Sequence, residues 1–305
     1  MTELYLITGF LGAGKTSFLN SFAGLFPGKK SAMIINEFGK KGVDGPLLRH
    51  LGIEMTEINN GSIFCACKVE QFETAVELLL ERGDVDLIFV EASGLSDPGT
   101  VKAIFSNPRY ENLRYAGAIC LVDAVRFHKI YETARVCRMQ LAVSDMVLIN
   151  KTDLATSEQI QLIREIALAQ KPNRPVKETQ FGRFDPLWLQ ELSAPAMEDG
   201  GNLSHTRDIT LQKLNIVLEN WDKDSLEAFI RMFADDSYRI KGFVRCGGEL
   251  LLVDCVGPLI SIKSFEGEQE DENILVVLYG HGLPTKKSIR TAMEAFPNLK
   301  AEIEK

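Results

Sequence analysis

The sequence predicts an α/β domain on a mostly parallel central sheet, followed by a smaller C-terminal α+β domain. Three observations lead there. Across residues 1–192, short and nearly continuous apolar runs alternate with amphipathic stretches, the pattern of βαβ units whose strands are buried on both faces. A small, polar, aperiodic stretch at 193–205, beginning Ser193-Ala194-Pro195-Ala196, then reads as a linker. From residue 206 to 305 strands follow one another with helices near the two ends, which marks a largely antiparallel sheet.

In order along the first domain, strands are expected at Leu4–Thr8, Ala32–Asn36, Leu87–Glu91, Ala118–Val122 and Met146–Asn150. Helical periodicity falls between them at Lys15–Ala23, Val69–Arg82, Ala124–Leu141 and Ser157–Gln170. The second domain opens with a strand soon after Thr206. A helix at Ser225–Phe233 follows, then strands at Tyr238–Cys246, Leu250–Ser264 and Ile274–Tyr279, and a final helix at Thr285–Phe296.

Composition narrows the function classes. Hydrophobic residues make up 45% and charged residues 25% of the chain, the balance of an ordinary globular protein. A net charge of -8 argues against a nucleic-acid partner, since phosphate backbones are bound by clustered Lys and Arg. No run of about 18 apolar residues occurs, so no membrane span is expected. The start, Met1-Thr2-Glu3-Leu4, lacks the basic region of a secretory signal, and a cytoplasmic location is expected. In that reducing setting the six cysteines are expected as thiols.

The chemistry begins with Gly9-Phe10-Leu11-Gly12-Ala13-Gly14-Lys15-Thr16, which fits G-x-x-x-x-G-K-[ST] between an expected strand and an expected helix. Backbone N–H groups of such a loop converge on phosphate oxygens, and the helix N-terminus adds a favourable dipole. The first domain is therefore expected to be a P-loop NTPase. Gly9, Gly12, Ala13, Gly14, Lys15, Thr16 and Ser17 are its candidate nucleotide contacts; Lys15 reaches the β and γ phosphates, and the Thr16 hydroxyl ligates Mg²⁺.

Asn150-Lys151-Thr152-Asp153 ends the fifth expected strand. A carboxylate at Asp153 can accept from the ring N–H and the exocyclic amine of guanine, whereas adenine leaves it unsatisfied. Taken alone the four residues also suit a helix N-cap; behind a phosphate loop they read as a guanine-binding segment. Glu91 closes the third strand and Gly94 follows, a placement suited to holding Mg²⁺ or orienting water and to sensing the γ-phosphate. A strand ending in solvent is the plainer alternative for Glu91. Asn36-Glu37-Phe38-Gly39 follows the second strand, where Glu37 is a candidate metal ligand or a solvated loop acid.

Together, Gly9-to-Thr16, Asn36-Glu37-Phe38-Gly39, Glu91-to-Pro98 and Asn150-Lys151-Thr152-Asp153 resemble the CobW-like GTPases, relatives of the urease and hydrogenase nickel-insertion GTPases. That resemblance implies GTP hydrolysis with Mg²⁺, in which Lys15, Glu91 and Gly94 act at the reacting phosphate. It further implies delivery of a transition metal such as Zn²⁺ or Co²⁺ to a client metalloenzyme or corrinoid protein, and a nucleotide-dependent homodimer. Asp123 resembles the family's acid near the nucleotide. One segment departs from the family. Its members carry C-x-C-C after Asn-Gly, whereas this chain reads Asn60-Gly61-Ser62-Ile63-Phe64-Cys65-Ala66-Cys67. Two thiolates do not complete the tetrahedral site zinc prefers, so Glu37 or a dimer partner would have to contribute. Cys65 and Cys67 are thus either metal ligands or two small half-buried side chains. A chaperone or reactivator of a corrinoid enzyme, with no metal traffic of its own, is the competing function.

Overall fold

A computed structural model describes residues 1–36, 54–58, 66–92, 94, 110–192, 211–267 and 272–304. The chain divides into two compact units, Met1–Thr206 and Arg207–Lys305. The linker expected at 193–205 lies outside the described residues.

In the first unit seven parallel strands form one sheet: β1 (Thr2–Thr8), β2 (Ser31–Asn36), β3 (Glu54–Ile58), β4 (Leu87–Glu91), β5 (Leu113–Asp123), β6 (Met146–Asn150) and β7 (Val176–Glu178). Their order across the sheet is β3-β2-β4-β1-β5-β6-β7. From β1 the chain winds to one side of the sheet, then returns to the other. All strands are parallel, so their C-terminal ends share one edge, and the reversal of winding beside β1 opens a crevice there.

The helices are α1 (Lys15–Ala23), α2 (Ala66–Arg82), α3 (Phe127–Thr133), α4 (Arg135–Val143) and α5 (Ser157–Gln170). On one face of the sheet Leu4, Leu6, Ile34, Ile88 and Val90 pack with Phe72 and Val76 of α2. On the other, Tyr5, Ile7, Met33, Ile35 and Phe89 pack with Phe18, Leu19 and Phe22 of α1. Successive strand residues thus bury on opposite faces, which is why the strands read as unbroken apolar runs.

The helix expected over Ala124–Leu141 is two helices. Ala134 between them is extended (φ −119°, ψ 108°). Alanine has the highest helix propensity, so tertiary packing sets the break. Arg138 makes it tolerable by donating from Nη1 to the Tyr131 carbonyl at 2.8 Å, covering an acceptor that the end of α3 exposes. The C-terminal ends of α4 and α5 meet on the buried guanidinium of Arg174, which donates to the carbonyls of Leu141 and Ala167 and, at 2.8 Å, to the Ser144 hydroxyl. A cation suits two helix C-termini, where the dipoles are negative.

The second unit is a six-stranded sheet of β8 (Leu211–Glu219), β9 (Arg239–Cys246), β10 (Glu249–Cys255), β11 (Ile262–Ser264), β12 (Ile274–Gly280) and β13 (Lys300–Glu304), in the order β11-β10-β9-β12-β8-β13. Each pairing is antiparallel. Helices α6 (Lys223–Arg231) and α7 (Thr285–Ala295) cover one core with it, in which Trp221, Phe229 and Phe233 are buried. The single strand expected over Leu250–Ser264 is a hairpin of β10 and β11. Gly257 takes φ 54° and Pro258 offers no N–H, so the ladder cannot run through.

Candidate functional site

The sheet edge gathers the ends of five strands. β1 ends at Thr8 and enters the phosphate loop, and Ala13 N–H donates to the Phe10 carbonyl at 3.2 Å as the loop turns. Lys15 lies in the first turn of α1 and donates from Nζ to the Gly9 carbonyl at 3.0 Å, folding its side chain back over the loop. Thr16 is half-buried and Ser17 exposed at the same helix end.

Asn150 joins this loop to the rest of the site. Its Nδ2 donates to the Ala13 carbonyl at 2.9 Å, across 137 residues of sequence, and its Oδ1 accepts from the Gly182 N–H at 3.0 Å. One buried amide therefore fastens the phosphate loop to two other loops. Gly14 accommodates this contact: its φ is 97°, and a Cβ there would overlap Asn150 Nδ2. The amide expected to touch nucleotide thus has a protein partner at each end, one hydrogen bond from Nδ2 and one to Oδ1.

Lys151 follows in the left-handed region (φ 63°), unusual for a side chain with a Cβ. Its Nζ meets Asp123 Oδ2 at 2.6 Å. Asp123 is 5% exposed at the end of β5, and its other oxygen accepts from the Val125 and Arg126 N–H groups at 3.0 and 3.2 Å. With those amides holding Asp123, the carboxylate fixes the lysine stem beside the loop. Asp153 is exposed within a single 3₁₀ turn, Thr152–Leu154, with its carboxylate open to a ligand.

The third loop, 179–184, is one that sequence reasoning missed. Thr179 N–H donates to the Ile149 carbonyl at 2.8 Å and the Thr152 hydroxyl donates to the Thr179 carbonyl at 3.1 Å. The Thr179 hydroxyl closes the loop on the Arg183 carbonyl at 2.6 Å. These bonds tie it to the 150–154 segment. Its only sequence signal is the Thr-x-x-Gly after a three-residue strand too short to show periodicity.

Glu91 is buried at the end of β4, in register with Ile7 of β1 and Ile35 of β2. Its carboxylate and the Thr16 hydroxyl are hard oxygen donors at one sheet edge, which fits Mg²⁺ rather than a thiophilic ion. Gly94 is buried, and a Cβ there would lie 2.7 Å from the Leu11 N of the phosphate loop. Glu37 and Cys65 lie outside the described residues, and of Cys67 only the helical backbone in α2 is described. Among the described residues no three or more His, Cys, Asp or Glu side chains are grouped to hold a metal ion. Nor is any helix there long and apolar enough to cross a membrane. Cys120 and Cys137 are buried, and burial pushes the Cys120 thiol up to about 12.

A parallel sheet, a phosphate loop at its central strand and converging loops at the C-terminal edge define a P-loop nucleotide-binding protein. Residues 3–178 match the family model described as CobW/HypB/UreG, nucleotide-binding domain, and residues 207–296 match the cobalamin synthesis protein cobW C-terminal domain. The chain belongs to the CobW/HypB/UreG family. A zinc chaperone CobW of Pseudomonas aeruginosa is 30% identical over 310 residues, covering 83% of this chain and 80% of that protein. The zinc chaperone YeiR of Escherichia coli is 33% identical over 190 residues, or 61% of this chain and 57% of YeiR. The zinc-regulated GTPase metalloprotein activator 1 of Schizosaccharomyces pombe is 28% identical over 208 residues, or 65% and 51%. The chain thus spans little more than half the length of the last two.

Proposed function

We propose that this chain binds and hydrolyses GTP and couples the state of the nucleotide to the handling of a transition metal for a client protein. The observation that carries the proposal is the Asn150 amide, bonded at 2.9 Å to Ala13 of the phosphate loop and at 3.0 Å to Gly182. A base-reading loop needs a fixed span from a phosphate loop, and this amide supplies it.

In this reading Gly9, Gly12, Ala13 and Gly14 offer backbone N–H groups to the phosphates, and Lys15 leaves the Gly9 carbonyl to reach the β and γ oxygens. Thr16 and Glu91 would hold Mg²⁺, which would supply positive charge against the negative charge of the phosphates. Lys151 lies along the base, Asp153 accepts from guanine, and Gly94 offers its N–H to the γ-phosphate. Zinc is the favoured cargo, since the relatives are named for it. Cys65 and Cys67, with Glu37 or a second copy of the chain, are its candidate ligands.

The test is a zinc titration in the presence of GDP and of a non-hydrolysable GTP analogue, with phosphate release measured alongside. Zinc affinity is expected to differ between the two nucleotides, and zinc is expected to shift the analogue's affinity by the same factor. Cys65→Ser with Cys67→Ser is expected to abolish that difference while GTP binding persists. Equal zinc affinity in both states contradicts the metal coupling. A partner captured only in the GTP state, with no bound metal, would favour action on a cofactor-dependent enzyme instead.

A further inference from the structure

We infer that Gln140 is the positioning residue of the γ-phosphate sensor: it holds the Gly94 peptide against the phosphate loop and so sets the preference for nucleoside triphosphate over diphosphate. The inference rests on the GTP-binding reading of this site and names a residue outside every nucleotide motif.

Gln140 sits on α4 and is 1% exposed. It borders a small pocket whose lining is mostly apolar, with Phe10, Cys120, Phe127, Ile130 and Leu141, and includes one acid, Asp123. An amide among such side chains is expensive to bury unless its donors and acceptors are used. Leucine or methionine would fill the space without that penalty, so packing does not account for glutamine here. Its Nε2 donates to the Gly94 carbonyl at 3.2 Å, across 46 residues of sequence.

Gly94 is enclosed on its other side as well. Leu11 N and Leu11 Cδ2 lie 2.7 and 2.8 Å from where a Cβ would be, so the Gly94 backbone rests directly on the phosphate loop. Gln140 on one side and Leu11 on the other fix the Gly94 peptide. The Gly94 carbonyl and the Gly94 N–H lie in two peptide planes joined at its Cα, so the Gln140 bond on one plane and the Leu11 contact at the Cα together limit the backbone rotation that would re-aim the N–H. The same helix leads through Ser144 and Asp145 into β6, whose last residue is Asn150. Gln140 and Asn150 thus hang the sensor and the base loop from one continuous support, and that support is anchored at Leu141 and Ser144 by Arg174.

The experiment compares dissociation constants for GDP and for a non-hydrolysable GTP analogue, with kcat and KM for GTP, in the wild type, Gln140→Met and Gln140→Glu. Met keeps the length and loses the donor; Glu keeps the shape and donates only when protonated. Expected is a three- to tenfold weaker grip on the analogue in Gln140→Met, with GDP affinity within twofold of wild type and kcat lowered more than KM rises. In Gln140→Glu the triphosphate preference is expected to recover as pH is lowered and the carboxyl gains its proton. Equal weakening of GDP and analogue shows a packing role alone and overturns the inference, as does no change in either. A wild type that binds neither nucleotide fails at the GTP-binding reading itself, which separates the two failures.

Discussion

Asn150 makes a prediction at the scale of one side chain. Its amide leaves a buried carbonyl on Ala13 and a buried N–H on Gly182 when removed. Asn150→Ala is expected to lower unfolding free energy by about 1–3 kcal/mol and to weaken GDP and GTP together, read by denaturant unfolding and nucleotide titration. Unchanged stability with lost binding would mean that the amide contacts nucleotide rather than spacing the loops. The motif residues were legible from sequence because their chemistry is local. A glycine-rich turn before a lysine, or an Asp after a strand, announces itself within a few positions. Gln140 and the Thr179–Gly182 loop were not, because their roles come from residues 46 and 32 positions away that only the folded chain brings near.

At the scale of elements, boundaries followed local signals where those were strong. α1 and α5 occupy the expected ranges, and α5 opens with a capping box in which Thr156 and Gln159 satisfy each other's backbone N–H. β3, β7 and β13 went unread. β7 is only three residues long, while Lys300-Ala301-Glu302-Ile303-Glu304 does alternate but lies at the chain's end, where it completes the sheet beside β8. The break at Ala134 was not legible because Thr133 and Val136, though weak helix formers, do not stop a helix as Gly or Pro would. Arg174 tests how these helices are held. Arg174→Leu leaves the Leu141 and Ala167 carbonyls without their buried donor, and about 1–3 kcal/mol of stability is expected to be lost. Thermal melts check it; a variant as stable as wild type would show that the helix ends need no cation.

At the scale of the whole molecule, buried thiols and a buried tyrosine are expected to cost stability at alkaline pH. Burial raises the Cys120 thiol from 9.0 to about 12 and the Cys255 thiol from 9.0 to about 11. Burial, with help from Glu3, raises the Tyr5 hydroxyl from 10.0 to about 12. In the unfolded chain these groups ionise first, so their stabilising effect is complete below about pH 9 and declines as pH rises towards about 12. Cys120→Ala is expected to flatten that decline in melting temperature between about pH 8 and about pH 10.5; an unchanged slope would contradict it. The arrangement of the first unit was legible as a class from its alternating apolar runs and its phosphate loop, and the family model over residues 3–178 agrees. Its strand order was not, since nothing local says that β4 lies beside β1.

The central claim is that the 150–153 segment, held at a fixed span from the phosphate loop, reads guanine through Asp153. The most direct measurement is the dissociation constant of GTP, ATP and XTP for the wild type and for Asp153→Asn. The wild type is expected to prefer GTP. Asp153→Asn is expected to bind GTP roughly ten- to a hundredfold more weakly and to gain XTP, because its amide pairs with the xanthine carbonyl. A wild type that prefers ATP, or a variant that keeps the wild-type order of affinities, would contradict the account.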